Sequence, residues 1–324
     1  MKKRLVVQGR LSDAQRATLD DLFKVDVLPK TTALDAPENR TLLADAHGII
    51  GSGLAITPEL LEAAPKLEVI STISVGYDNI PVDELTERGI MLCNTPDVLT
   101  ETTADTGFTL IMATARRVVE LAEWVKAGQW QASIGPALFG SDVHGKTLGM
   151  VGFGRIGQAV ARRGALGFGM PVLYSNASPK PALEHEFGAQ RRELTELLAE
   201  ADFVCVTVPL NAETEHLIGA KEFAQMKPTG IFINIARGKV VDEAALIHAL
   251  ENGVIQAAGL DVFEQEPLAA SSPLPKMSNV VALPHIGSAT HETRDAMAQR
   301  AVDNIRLALQ GERPISLVNQ EAYQ

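Results

Sequence analysis

Cysteine is almost absent. Cys93 and Cys205 are the two in 324 residues, and each lies inside an apolar, strand-like run far from the other. That excludes a disulfide framework and a CxxC metal or redox pair, and it suits a reducing cytoplasm. Clustered cations are also missing: 29 Lys and Arg stand against 40 Asp and Glu, for a formal charge of −11 and a pI near 5.2. A nucleic-acid surface gains affinity by releasing counterions through grouped Lys and Arg, so no nucleic-acid partner is expected. Long apolar runs are lacking too. None approaches the ~18 residues that read as a membrane span, and the first holds only about four residues where a signal peptide carries ~7–15. The expectation is a soluble, cytoplasmic chain with no membrane partner. There is no internal repeat or low-complexity tract. His291, six residues after His285, has no Cys or acidic partner motif, so no metal site is expected.

What is present is alternation, in a chain long enough for two domains that each bury a core. Residues 1 to 95 alternate short β-like runs (RLVVQG, GIIGS, LEVISTIS, GIMLCN) with helix-like stretches, Leu11 to Phe23 and Thr57 to Ala64 among them, which predicts a small parallel α/β unit. Residues 146 to 284 hold six more β-like runs, KTLGMV, PVLYS, FVCVTVP, GIFINI, IQAAGLDVF and NVVALP; that is the strand count of a double mononucleotide-binding fold. Between them, Ala104, Phe108, Ile111, Ala115, Val118, Ala122 and Val125 step by four and three, with Met112 and Val119 widening the stripe. The spacing predicts one long helix from Thr100, its N-cap, to Gly128, its stop. So wide a stripe suits a connector between domains and a subunit contact, or a helix buried wholly within one subunit. Thr290 to Gln310 forms a last amphipathic helix, with Met297, Ala301, Ile305 and Leu309 on one face and Gly311 and Pro314 closing it.

Chemistry gathers where the β-like runs of the second half end. GFGRIG, with Gly152, Gly154 and Gly157, follows KTLGMV and opens a helix-like segment. A strand, this turn and a helix form a dinucleotide-binding unit: the first glycine makes the tight turn, the second lets the pyrophosphate approach the backbone, and the third lets helix and strand pack. INI is followed by Arg237, GLDVF by Glu264 and Glu266, and VVALP by His285. A guanidinium, a carboxylate and an imidazole are thus delivered to strand ends, where an open α/β sheet keeps its active site. The planar guanidinium fork suits a substrate carboxylate and polarises a neighbouring carbonyl. A carboxylate touching the imidazole orients the ring and balances its positive charge, so that the ring can give a proton to a 2-oxo acid as hydride arrives at carbon. Strand alternation puts Glu264 and Glu266 on one side, and physics alone does not separate them. His47, His144, His185, His216 and His248 read as structural. STISVGYDNIP, with Gly76 after an apolar run, is either a backbone nest for an anion or a plain strand-to-helix turn. The whole points to a nicotinamide-dependent oxidoreductase.

Cofactor choice is set at the end of the second strand, where NAD enzymes carry an Asp or Glu for the ribose hydroxyls. Here Tyr174 is followed by Ser175, Asn176, Ala177 and Ser178, with Lys180 beyond. Without a carboxylate to repel a 2′-phosphate, and with hydroxyl and amide donors to bind it, NADP(H) is preferred and NAD(H) is possible.

Over nearly its whole length the chain resembles the D-2-hydroxyacid dehydrogenase family, in the branch acting on glyoxylate, hydroxypyruvate and 2-ketogluconate, through TPDVLTETTADT, TARRVVELAEWVKAGQW, SIGP, HGKTLGMVGFGRIG, AAGLDVFEQEPL and PHIGSATHETR. The resemblance implies Arg237, Glu266 and His285 as the catalytic set, with Glu266 rather than Glu264 paired to His285. It implies that Val75 and Gly76 present amides to the substrate carboxylate. Cofactor contacts are implied at Gly152, Gly154, Arg155, Ile156, Gly157, Ser175, Asn176, Pro209, Ala236 and Asp261, with Asp261 facing the nicotinamide carboxamide. The loop arginine that NADP-using members commonly carry is absent. The implied fold class is α/β, two Rossmann-like or flavodoxin-like parallel-sheet domains. The dinucleotide-binding domain, residues 101–288, is inserted into a discontinuous substrate domain made of residues 1–100 and completed by a returning C-terminal helix in residues 289–324. The implied activity is reduction of small 2-oxo acids to (R)-2-hydroxy acids or glycolate, in a homodimer whose substrate cleft lies between the domains. Rival readings are another D-2-hydroxyacid dehydrogenase, such as phosphoglycerate dehydrogenase, or a non-catalytic NAD(H)-sensing regulator on the same fold.

Overall fold

The computed structural model describes residues 2–323. The chain forms two compact units, Met1–Leu99 with Ala289–Gln324, and Thr100–Ser288. Each is built on a wholly parallel sheet covered on both faces, which is why its central strands are continuous apolar runs such as Phe203–Val206, FVCV.

In the first unit β1 (Arg4–Gln8), β2 (Lys24–Leu28), β3 (Ala46–Gly51), β4 (Val69–Thr72) and β5 (Met91–Cys93) lie in the order β2-β1-β3-β4-β5, the flavodoxin-like arrangement. Four strands were expected from composition; β2 is the extra one. Its KVDVL run lies at the sheet edge with no residue fully buried, so its hydrophobic signal is weak. The helix His291–Leu309 begins with Thr290, whose hydroxyl accepts the Thr293 amide at 3.2 Å. It packs Ala301, Val302, Ile305 and Leu309 against Leu5, Val7, Ile50 and Val69. Two buried asparagines tie the C-terminal segment to β5. Asn304 donates to Asn94 O and accepts from Ser316 N, both at 3.0 Å. Asn319 accepts from Leu92 N at 2.7 Å and donates to Ile90 O at 2.9 Å.

In the second unit β6 (Leu148–Val151), β7 (Val172–Ser175), β8 (Gln190–Arg191), β9 (Phe203–Val206), β10 (Ile231–Asn234), β11 (Ala257–Leu260) and β12 (Val280–Ala282) run in the order β12-β11-β10-β9-β6-β7-β8. The strand order reverses between β6 and β9, so a crevice opens outside their carboxyl ends. The seventh strand, beyond the six expected, is β8, an exposed two-residue edge piece.

The single helix expected over residues 100–128 is interrupted. It divides into Thr100–Ala115 and Val118–Lys126 because Arg117 takes a left-handed backbone with φ 54°. The Ala115 carbonyl accepts the Ser141 amide at 2.8 Å, and Gly140 lies so close that a Cβ there would sit 2.5 Å from that oxygen. Arg117 is held by Glu120 at 2.7 Å and by the Ala137 carbonyl at 2.7 Å. The apolar stripe therefore does not run on unbroken, and Val118, Val119 and Val125 are exposed.

Burial pushes the thiols of Cys93 and Cys205 up to about 12, which leaves neither as a ready nucleophile. Among the described residues no helix is long and apolar enough to cross a membrane. Asn304→Ala should strand a buried carbonyl and a buried amide, lowering the unfolding free energy by about 2 kcal/mol or more; urea unfolding checks this, and an unchanged midpoint would mean that water replaces both bonds.

Candidate active site

The glycine turn after β6 has three differently used positions. Gly152 has φ +91°, and a Cβ on it would lie 2.8 Å from the Val208 amide nitrogen. At Gly157 a Cβ would meet the Gly152 carbonyl at 2.6 Å and the Thr207 hydroxyl at 2.7 Å, so helix and turn are in backbone contact. Gly154 has nothing within 4 Å of the Cβ position and no side-chain cap over the helix Arg155–Arg162 that it opens. The open side of the turn is the side from which a pyrophosphate must reach helix amides, so these residues fit a dinucleotide. Thr207, not foreseen, donates its hydroxyl to Gly152 O at 2.9 Å and holds the turn in shape. Arg155 and Gly154 are exposed, Ile156 is half-buried, and Pro209 is exposed just past β9.

At the end of β7, Asn176 accepts the Phe153 amide on its Oδ1 at 3.1 Å and donates to Ser178 O at 2.9 Å. Its amide thus ties the loop to the glycine turn. Ser175 is half-buried beside it.

Arg237 follows β10 on a turn built by Asn234, which is buried. Asn234 accepts the Ala236 amide and donates to the Arg237 carbonyl, both at 3.0 Å. Arg237 Nη1 donates to Ala236 O at 2.8 Å, which sets the guanidinium's direction. Gly238 is obligatory here, since a Cβ would fall 1.8 Å from the Phe263 carbonyl carbon. The arginine turn therefore lies directly on the segment leading to Glu266. Neither Asn234 nor Gly238 was singled out beforehand, although both flank Arg237 in NIARG.

Glu266 and His285 are brought together. Glu266 Oε2 lies 2.7 Å from His285 Nδ1, and Oε1 accepts the Phe263 amide at 3.1 Å. Glu264 goes elsewhere: its Oε1 contacts His216 Nε2 at 3.1 Å and accepts the Glu243 amide at 3.0 Å. The expectation that both carboxylates share one side is corrected, because β11 ends at Leu260 and alternation stops there. His285 itself has φ 54°, a conformation costing on the order of 1–2 kcal/mol for a residue with a Cβ. Asp261 holds it there. Its two oxygens accept the Ile286 amide at 2.7 Å and the Gly287 amide at 2.8 Å, and it is 1% exposed. Burial holds the Asp261 carboxyl above the usual carboxylate range, and those two amides only partly oppose the shift.

In the first unit the Val75 and Gly76 carbonyls are tied down, one by Asn94 Nδ2 at 2.9 Å and the other by the Ser74 hydroxyl. Their amides make no hydrogen bond among the described residues. This loop thus carries two successive unused amides. His47 accepts the Arg4 amide at 3.2 Å, and His291 is exposed at its helix start. Among the described residues no group of three or more His, Cys, Asp or Glu could hold a metal ion.

Comparison with known proteins agrees in kind. The family model for the D-isomer specific 2-hydroxyacid dehydrogenase NAD binding domain matches residues 108–287. Glyoxylate/hydroxypyruvate reductase B of Escherichia fergusonii is 54% identical over 321 residues, covering 99% of each chain. An NADPH-dependent glyoxylate/hydroxypyruvate reductase from Sinorhizobium meliloti, solved in complex with NADP and malonate, superposes with a TM-score of 0.88 at 34% identity, covering 100% of this chain and 98% of that one. A glyoxylate reductase from Paecilomyes thermophila reaches 0.90 at 33% identity, covering 99% of each chain. The chain belongs to the D-isomer specific 2-hydroxyacid dehydrogenase family.

Asp261→Ala should release the Ile286 and Gly287 amides, costing about 1–3 kcal/mol of stability and lowering turnover by misplacing His285. Asp261→Asn, which keeps one acceptor, should recover part of both. Urea unfolding and kcat measured on the two variants test this; wild-type values in Asp261→Ala would show that the loop is held by other contacts.

Proposed function

We propose that this member of the D-isomer specific 2-hydroxyacid dehydrogenase family reduces small 2-oxo acids to glycolate or (R)-2-hydroxy acids. Glyoxylate and hydroxypyruvate are its foremost substrates, 2-keto-D-gluconate belongs to the same class, and NADPH is preferred over NADH. The observation that carries the reading is the 2.7 Å contact of Glu266 with His285, on the carboxyl-end side of the sheet that also carries the glycine turn. A cofactor-sensing protein on this fold would have no use for that pair.

Arg237 binds the substrate carboxylate through its planar fork, and its charge draws electron density from the adjacent carbonyl. When bound, a reduced nicotinamide supplies the hydride to the carbonyl carbon. His285 gives its proton to the carbonyl oxygen, where negative charge otherwise builds. Because Nδ1 faces Glu266, Nε2 is the nitrogen left to carry that proton. Glu266 fixes the ring and balances its charge. Gly152, Gly154, Arg155, Ile156 and Gly157 are assigned to the cofactor pyrophosphate, Ser175 and Asn176 to its adenosine end, and Pro209, Ala236 and Asp261 to the remaining cofactor contacts. In the first unit the Val75 and Gly76 amides are the groups suited to a substrate carboxylate. We assign the first unit to substrate and the second to cofactor.

We also infer a homodimer. Val118, Val119, Val125, Trp130, Ile134 and Phe139 are 45–63% exposed within 22 residues of chain, an apolar surface of the kind that marks a protein contact. The cytoplasm suits a chain whose two thiols are unpaired.

Purified protein should oxidise NADPH with glyoxylate and hydroxypyruvate, and kcat/KM should be higher with NADPH than with NADH. Arg237→Ala should lower kcat/KM by about 10²-fold or more through loss of a charge-assisted pair made in the transition state. His285→Gln should lower kcat by about 10²–10⁴-fold, while cofactor affinity, read by fluorescence titration, survives in both. Near-normal kinetics in either variant would make that residue structural, and a clear NADH advantage would refute the cofactor preference.

A further inference from the structure

The loop after β7 holds no arginine and a single cation, Lys180 at the start of the next helix, yet an arginine reaches it from the next strand. Arg191 pairs with Tyr174 in the β7–β8 register, and its Nη2 donates to Asn176 O at 3.3 Å. It is exposed and takes part in no salt bridge among the described residues. Its neighbour Arg192 is committed, to Glu200 at 3.1 Å and to Gln190 at 2.8 Å. The first carboxylate after β7 is Glu184, and it is held by the Tyr174 hydroxyl at 2.5 Å. The Asn176 side chain is already used by Phe153 and Ser178, so it is a poor choice as the phosphate's own donor. Asn176 does join Arg191, bound at its backbone carbonyl, to the glycine turn, bound at its side chain.

We propose that Arg191, projecting from β8, is the residue that recognises the 2′-phosphate of NADP(H), in place of an arginine in the loop after β7. The inference rests on the cofactor preference proposed above. A dinucleotide seated on the glycine turn directs its adenosine ribose to the end of β7, where an arginine accommodates a 2′-phosphate. The guanidinium can meet two phosphate oxygens at once. A ribose 2′-hydroxyl offers it no charge, so the contribution is specific to the phosphorylated cofactor. Because the site is exposed, salt should weaken it.

The test is equilibrium binding to the whole protein at low ionic strength, by calorimetry or fluorescence, of NADPH, NADH, adenosine 2′,5′-bisphosphate and adenosine 5′-monophosphate. Arg191→Gln should weaken NADPH and the bisphosphate by about 10-fold or more, the loss of one charge-assisted contact, and leave NADH and the monophosphate unchanged. Arg192→Gln should alter none of the four, and Arg191→Lys should retain part of the preference. Equal weakening of all four ligands by Arg191→Gln, or no weakening of any, would overturn the assignment. A wild type that binds NADH as tightly as NADPH would refute the preference itself. The assignment is then still decided by whether Arg191→Gln weakens the bisphosphate selectively.

Discussion

The Glu266 carboxylate lies 2.7 Å from the His285 ring, and much of the second unit is arranged to keep it there. The two residues come from loops after adjacent strands, β11 and β12, and neither loop would hold its course alone. Parallel register sets Asn234, Leu260 and Ala282 side by side at the ends of β10, β11 and β12, so the three loops leave the sheet together. Asp261 then fastens the His285 loop through two backbone amides. Gly238 lets the Arg237 turn lie on the peptide of Phe263. A side chain at Gly238 would push the Arg237 turn off that peptide.

Stability is given up for this arrangement. His285 sits in a left-handed backbone conformation, and Asp261 is a carboxylate almost wholly removed from water. Hydrogen bonds to a charged acceptor are worth about 1.5–3 kcal/mol each, and the two to Asp261 recover only part of its lost hydration. The same two bonds restrain the loop that bears the strained residue. Strain held by surrounding contacts is characteristic of residues kept for chemistry.

Much of this was legible in the sequence because both sheets are buried on two faces. Runs such as INI, AAGL and VVA are apolar without interruption, and the residues after them are conspicuous as the first polar groups. Edge strands were not legible. Lys24–Leu28 has no fully buried residue and Gln190–Arg191 is exposed, so their order comes from pairing with a neighbour. The break at Arg117 was equally hidden, since the apolar spacing of three and four runs through it; only the approach of Gly140 and Ser141, more than 20 residues on, turns the chain. Glu264 and Glu266 could not be told apart by alternation because there is no strand where they stand. Asp261, Gly238 and Arg191 make their contacts with segments distant in sequence, and composition carries no trace of them.

The central claim is that Glu266 and His285 work as one proton-delivering unit. A double-mutant cycle on kcat for hydroxypyruvate reduction, with Glu266→Gln, His285→Gln and the two combined, addresses it directly. Residues that act as a unit are strongly non-additive, so the double variant should be little slower than His285→Gln alone. Losses that simply multiply would contradict the account, because they would mean that the carboxylate contributes independently of the ring it touches.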